Sequence, residues 1–412
     1  MKSISEHLTP LDFPYTEIEE AWEHIRAHVK PLPAVELPFQ RTPGLVLAES
    51  IRAREPFPPF PASTVDGYAL RSAEGDAWRT VVGEQRIGTP AQRPLQPGEA
   101  VWVATGAVVP EGADAVVEVE ASLREGSRMR PRYVPTPGHN IRPVGFDIRG
   151  DEEVLPRGTR IGPAEVGVLA TVNALRVRVH PRPRVAVIST GDELVPPGTP
   201  LSPGKIRESN RYTLLAAVEL YGGEAVDRGS HPDDPSRLRA ALIDAVASAD
   251  MVVTCGGVSM GNRDYLKTLL AELGHIHFGR VRVKPGKPAT FATVRETPVF
   301  SLPGNPVSAL VGFYLYVLPA MRILGGTPGW EHPWTPVRLA HPIRREPGRV
   351  EFQRARLRRE RGTWWAETTG EQASSRLLSF VGADALIRLP AEGDIIPQGT
   401  EVPAFLLRLI PF

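Results

Sequence analysis

The chain has 412 residues, a hydrophobic share of 42%, a charged share of 23% and a formal net charge of +1. That length sets a prior of roughly two to four soluble domains, and near-neutrality gives no bulk field to draw nucleic acid or an anionic membrane. No apolar run reaches the ~20 residues of a bilayer span, and a single cysteine, Cys255, excludes an intrachain disulfide or a cysteine-based metal cluster.

The N-terminus, MKSISEHLTPLDF, has no apolar secretory core, so a cytoplasmic protein is expected. Residues 15–29 follow as an amphipathic helix with Ile18, Ala21, Trp22, Ile25 and Val29 on one face and Thr16 as its cap. Prolines crowded between 56 and 61 hold the chain extended and deliver the turn Asp66-Gly67 to a fixed place. From 80 to 134, short apolar strands between Gly/Pro turns predict a small β-rich domain inserted between two parts of another. GPAEVGVLATV reads as a helix with Pro163 in its first turn, and 175–183 as a strand and linker.

Between 184 and 324, apolar strand runs (RVAVIST, MVVTC, VFSL) alternate with helical segments and glycine turns. That pattern predicts a central, mainly parallel α/β domain, whose ligands gather at the carboxyl ends of its strands. The remainder, 337–412, is strand and turn. Alternation at Val350, Phe352, Ala355 and Leu357 points to a compact β domain or small barrel. The fold class is therefore multidomain α/β and β.

Five loops of this layout carry polar chemistry. STGDEL places Asp192 and Glu193 straight after a buried strand, where they coordinate Mg²⁺, cap a helix or face water, but do not enter the apolar interior together. CGGVSMGNRDYL offers Gly256, Gly257 and Gly261 for close backbone approach to an anion, Ser259 beside them, and Asp264 as helix cap or cation ligand. VKPGKP presents Lys284 and Lys287 in a proline-stiffened turn behind Arg280 and Arg282, suited to an oxyanion. In SLPGNPVSALVGFY, Pro303, Gly304, Asn305 and Ser308 surround the start of a helix whose free N–H groups attract phosphate or carboxylate. In SHPDDPSRL, either Asp233 or Asp234 is the N-cap of the next helix.

No HExxH, paired-histidine metal spacing, Walker A or GxGxxG is read in the chain, and HIH at 275–277 is expected to flank a strand. Carboxylates for a cation, lysines and helix ends for phosphates, and no obvious nucleophile fit phosphoanhydride or phosphoryl chemistry carried by positioning and a metal ion.

PFPASTVDGYAL, ATGAVVPEGADAVVEVE, HNIRPVGFDIRGDE, VAVISTGDELVPPG, VTCGGVSMGNRDYL, VKPGKPATFA, FSLPGNPVSALVGFY and QASSRLLSFVGADALIRLP together resemble the molybdopterin molybdenumtransferase family, and are similar to the C-terminal region of gephyrin. The resemblance covers essentially the whole chain. It implies an elongated dimerisation domain (1–55 and 138–180), a β-rich lid (56–137), an α/β molybdopterin-binding domain (181–326) and a C-terminal β domain (327–412). It implies adenylylated molybdopterin and molybdate as substrates, molybdenum cofactor and AMP as products, and Mg²⁺ as the cation. A homodimer is implied, its cleft lying between the α/β domain of one subunit and the lid of the other. Contacts with the adenylyltransferase and with cofactor-accepting proteins are further implied partners, without nucleic acid or membrane.

Carried over by residue, Asp66 and Thr105 are the lid's contributions, and Arg142 and Asp147 line or brace the cleft. Glu193, Asp233 and Asp264 supply metal-binding carboxylates, Arg280 and Lys284 positive charge with Lys287 behind them, and Ser374, Ser375 and Arg376 the serine-rich turn. Arg280 stands where many relatives have lysine, and Asp384 where asparagine is frequent. The rival functions are molybdopterin adenylyltransferase, which lacks the lid and C-terminal domain, and a non-catalytic gephyrin-like scaffold. No residue pattern separates molybdate from the nearly isosteric tungstate.

Overall fold

A computed structural model describes residues 13–257 and 265–407. They fall into two compact units: one holds residues 13–35, 44–46, 180–257 and 265–407, the other 36–43 and 47–179.

The first unit is built on a six-stranded sheet. Glu224–His231, Arg184–Thr190, Met251–Cys255 and Thr297–Leu302 lie side by side in that order and run parallel. Thr290–Val294 and His275–Phe278 extend the sheet antiparallel. Residues 185–190 are all buried, as a parallel strand covered on both faces requires. Arg184–Thr190 has its two sequence successors on opposite sides, which opens a crevice at its carboxyl end. The multidomain α/β and β architecture is as expected.

The main core of this unit gathers round the helix Pro306–Leu324, 19 residues long and 89% buried within the protein. It is long and apolar enough by composition to cross a bilayer, which corrects the expectation that no apolar stretch approaches that length. Pro319 sits inside the helix without ending it. A π-helical segment, Phe313–Val317, precedes the proline. The carbonyl four residues before the proline, Leu315 O, accepts a 2.8 Å hydrogen bond from the Trp22 indole. The proline's missing donor is thereby replaced from another element.

Trp22 belongs to the helix Ile18–His28, whose Ile18, Ala21 and Ile25 enter the same core. Its N-cap is Glu17, whose N–H meets Glu20 Oε2 at 3.4 Å, and not Thr16. Thr16 is held in a bridge to the 280–282 segment: its N–H donates to Arg280 O at 3.0 Å and its carbonyl accepts from Arg282 N at 2.9 Å.

The C-terminal strands close on themselves. Val350–Glu360, Thr363–Thr368, Trp334–Leu339, Glu401–Leu406 and Ala385–Leu389 follow in order, and the last pairs back onto the first, giving a five-stranded barrel. Simple alternation along 350–357 does not hold. Residues 351–355 are buried throughout, because Phe352 faces the main core while Glu351 and Gln353 turn to a polar cleft. Val283–Lys284 joins the barrel's rim, parallel to Val350 and Glu351, and so ties the lysine turn to the barrel.

In the second unit, six strands between Gly67 and Pro131 form one sheet, ordered Ala115–Glu118, Gly67–Leu70, Glu99–Val103, Arg79–Gln85, Arg128–Pro131, Ser122–Glu125. Apolar clusters cover both of its faces. Gly67 is required here, since a Cβ would lie 2.2 Å from Val117 O. The unit also holds short ladders, Ala62–Ser63 with Ile141–Arg142 and Ile51–Arg52 with Glu153–Leu155, and the helix Pro163–Thr171.

A further sequence expectation fails at the histidines. His24 and His28 stand one helical turn apart, so a paired-histidine spacing does occur in the chain, and both rings approach His277. HIH does lie in an edge strand, His275–Phe278, as expected.

Candidate active site

A cleft of about 1600 Å³ opens where the strands Arg184–Thr190 and Met251–Cys255 end. Its walls come from the α/β sheet's loops and from the barrel, all within the first unit. Gly256 makes the loops' close approach possible. Its φ is +96°, and a Cβ there would stand 2.2 Å from Thr190 O. Gly257 follows it along the cleft wall.

Thr190 ends its strand with a 2.6 Å hydrogen bond from its hydroxyl to Asp233 Oδ1. The Asp233 N–H donates in turn to Asp192 Oδ1 at 3.1 Å. Asp234 is the helix cap, accepting from Arg237 N at 2.8 Å, which leaves Asp233 to face the cleft. Glu193 lines the same cleft with its carboxylate folded over Gly191, where a Cβ would lie 2.6 Å from Glu193 Oε2. Of the three expected metal-binding carboxylates, these two share the cleft. Asp264, with Ser259 and Gly261, lies outside the described residues.

The floor is a buried ion network that sequence reasoning missed. Glu208 is 3% exposed. It accepts from the Ser189 hydroxyl and is forked by Arg211, with Nε at 3.0 Å and Nη2 at 3.1 Å. Arg211 also pairs with Asp227. This compensation lets a carboxylate stay buried beside the site. Next to it, Asn210 Nδ2 donates to Gly304 O at 2.6 Å and fixes the Pro303–Asn305 turn.

Pro303, Gly304, Asn305 and Ser308 all line the cleft at the start of the long helix. One donor of that helix end is already used, since Val307 N donates to Ser374 O at 3.0 Å. Asn305 Nδ2 reaches Ser374 Oγ at 3.2 Å, and Ser375 completes this wall.

Lys284 and Lys287 line the cleft from the barrel side. Lys284 Nζ is 3.6 Å from Glu351 Oε1, and the second Glu351 oxygen is 3.6 Å from Arg345 Nε. Gln353 Nε2 donates to Glu351 Oε1 at 3.0 Å. Arg207, Arg344 and Arg349 add further positive charge to the wall. The sequence signal for this group was the run EFQRA, polar residues inside a strand that is otherwise core.

Arg280 is not among the cleft-lining residues. Its guanidinium carbon is 5.9 Å from the Tyr15 ring centroid, over which Arg282 and Lys287 also lie at 4.7 and 5.4 Å. A hydrogen bond from Lys287 is the main cause that holds the Tyr15 phenol below its ordinary range. Asp384 is buried, and its Oδ2 accepts from Leu357 N at 2.8 Å, so it serves the barrel and is not a cleft-lining residue.

Asp66, Thr105, Arg142 and Asp147 belong to the second unit. Asp66 Oδ1 accepts from Thr105 N at 2.7 Å and from the Thr105 hydroxyl at 2.9 Å. The backbone bond first, then the hydroxyl, hold this exposed carboxyl below its usual range, so it is ionised at neutral pH. Arg142 pairs with Asp147 at 3.4 Å and lies 5.7 Å over the Phe146 ring.

The donor chemistry of the cleft is hard. Glu193 and Asp233 offer carboxylate oxygens. Cys255 is buried, its thiol directed at Ile188 O and pushed up by burial. His341 is engaged by Pro342 O through Nδ1 and by Thr368 through Nε2. Such a set fits Mg²⁺ and not a thiophilic ion.

Comparison with known proteins covers nearly the whole chain. Residues 16–173 match the family described as "MoeA N-terminal region (domain I and II)", 186–323 "Probable molybdopterin binding domain", and 336–407 "MoeA C-terminal region (domain IV)". A molybdopterin molybdenumtransferase of Nostoc sp. is 36% identical over 372 residues, 87% of this chain and 85% of that one. Gephyrin of Dictyostelium discoideum is 36% identical over 98% of this chain, which spans 63% of gephyrin's own length. A crystal structure of a molybdopterin biosynthesis protein from Pyrococcus horikosii superposes with a TM-score of 0.84 at 31% identity, covering 96% of this chain and 100% of that one.

Proposed function

The chain belongs to the molybdopterin molybdenumtransferase family, and from that premise we propose that it inserts molybdate into adenylylated molybdopterin with Mg²⁺-dependent release of AMP. One observation carries the reading: a single cleft at the carboxyl ends of parallel strands is lined by Glu193 and Asp233 and also by Lys284, Lys287, Arg344 and Arg349. That is the charge arrangement a phosphoanhydride and a tetrahedral oxyanion require.

Glu193 and Asp233 would hold Mg²⁺, which supplies charge neutralisation at the phosphates. The Thr190 hydroxyl orients the Asp233 carboxylate by its 2.6 Å bond. Glu351 steadies the Lys284 ammonium on the opposite charge side. Lys284 and Lys287 offset the negative charge of phosphate and molybdate, and the proline-flanked turn between them keeps both cations in place. Ser374 and Ser375 give hydroxyls to the same space.

Asp66 acts in the same reaction under this proposal, as an exposed ionised carboxylate fixed by Thr105. Asp66→Ala is expected to abolish cofactor formation while leaving a folded homodimer by size-exclusion light scattering. It removes no core packing.

The decisive assay incubates purified protein with adenylylated molybdopterin, Mg²⁺ and molybdate, and follows AMP by chromatography. Molybdate-dependent AMP release that is lost in Glu193→Ala supports the reaction and the cation role together. AMP-forming activity absent from folded protein that still binds the nucleotide would move the function to a gephyrin-like binding role. Turnover of ATP with bare molybdopterin would instead identify an adenylyltransferase. Replacing molybdate by tungstate in the same assay measures the oxyanion preference.

A further inference from the structure

Away from the cleft, three imidazoles meet on the face formed by the N-terminal helix and the sheet's edge strand. His24 and His28 project from one side of the helix Ile18–His28, and His277 from the strand His275–Phe278. One nitrogen from each lies within 4.8 Å of the other two. None of the three lines the cleft. We propose that His24, His28 and His277 form a binding site for a divalent transition metal of the zinc class, clipping the helix to the edge strand.

The argument begins with spacing. Residues four apart on a helix share one face, so the pair projects two imidazoles in the same direction, as chelating helix pairs do. The third ligand comes from another element, which is what a tertiary clip needs. The rings of His28 and His277 already stand 3.7 Å apart between centroids, and each is 6.3–6.4 Å from the His24 ring. A tetrahedral zinc with bonds of about 2.0–2.1 Å needs its nitrogens roughly 3.4 Å apart. Closing from 4.8 to roughly 3.4 Å takes up to about 1.4 Å of side-chain movement, with the stacked His28 and His277 rings turning so that their in-plane lone pairs converge. His28 is exposed and His24 only half-buried.

Outer contacts already orient two of the ligands. His28 Nδ1 lies 2.9 Å from His24 O, and a carbonyl only accepts, so Nδ1 carries the proton and Nε2 keeps its lone pair. His277 Nε2 is 3.1 Å from the Thr293 hydroxyl, which leaves Nδ1 for the metal when that hydroxyl accepts. Such hydrogen bonds fix the tautomer and ring direction of metal-binding histidines. All-imidazole donors favour zinc, nickel, cobalt or copper over Mg²⁺. This separates the site from the carboxylate-lined cleft. Three protein ligands leave a fourth position for water or another group.

The test uses untagged full-length protein stripped with chelator and desalted. Zn²⁺ binding is measured by calorimetry, and Co²⁺ binding by its visible absorption, in the wild type, in His24→Gln/His28→Gln and in His277→Gln. One equivalent is expected in the wild type, with nitrogen-ligated tetrahedral Co²⁺ bands and a Zn²⁺-dependent rise in Tm. Each variant is expected to lose affinity by at least about 10- to 100-fold, the cost of losing even an outer contact of a metal ligand. AMP release with Mg²⁺ is expected to be unchanged in the exposed-helix variant. Equal Zn²⁺ affinity in all three proteins, or a wild-type Tm indifferent to Zn²⁺, would overturn the site. The helix variant keeps the test clear of any folding defect in His277→Gln.

Discussion

Asp233 and Asp234 are neighbours in sequence with different jobs, and the difference lies in their hydrogen-bond partners. Asp234 accepts the Arg237 N–H as an N-cap, while Asp233 takes the Thr190 hydroxyl and faces the cleft. Asp234→Ala is therefore expected to cost about 0.5–2 kcal/mol of stability, the usual value of a cap, with activity kept. Asp233→Ala is expected to leave the melting curve nearly unmoved and to remove AMP release. A result in which Asp234→Ala lost the activity and Asp233→Ala the stability would reverse the assignment. Helix-end chemistry alone leaves the cap open between the two, because both precede Pro235, and only the family resemblance singles out Asp233 as the cleft carboxylate. In the structure, the neighbouring strand end brings Thr190 within 2.6 Å of Asp233 while Asp234 caps the helix, which distinguishes them.

At the scale of elements, the cleft depends on two strands ending together. The Gly256 position is where that demand is greatest, because any side chain would strike Thr190 O and would also have to adopt a φ of +96°. Gly256→Ala is expected to destabilise the protein by at least about 1–3 kcal/mol, the range for a strained backbone residue. Denaturant unfolding of the variant reads this directly, and a loss under about 0.5 kcal/mol, ordinary for a surface change, would mean that the strand ends can separate. The same loop was legible as glycine-rich, yet its partner was not. The long helix was legible as apolar, but its continuity through Pro319 was not, since the compensating donor is Trp22, nearly three hundred residues earlier in the chain. Likewise, the His24–His28 pair is written in the sequence, while His277 joins it only through the packing of helix on edge strand.

Across the first unit as a whole, the helix Ile18–His28 and the barrel meet around His332, whose ring lies 6.3 Å from Trp22 and 4.3 Å from Phe405 between centroids. Burial, with a smaller contribution from Arg322, pushes this imidazole from 6.5 down to about 3, so it folds in its neutral form. Between those values the unfolded chain binds the extra proton, so stability rises with pH there. The contribution is complete above about 6.5 and is lost as pH falls toward 3. Melting temperatures across that window are expected to fall less steeply for His332→Leu than for the wild type, and parallel curves would show that His332 is not buried neutral. The α/β strands, the amphipathic helix, the β-rich segments and most of the polar loops were legible in the sequence, because they follow from local periodicity, turn residues and helix-end chemistry. Tertiary structure was needed to show that Asp234 and not Asp233 is the cap, to choose the closed barrel over an open β domain, and to bring Glu351 to Lys284. It also decided that buried Glu208 is neutralised by Arg211. Each of those depends on a partner distant in sequence, or on desolvation that only the packed chain creates.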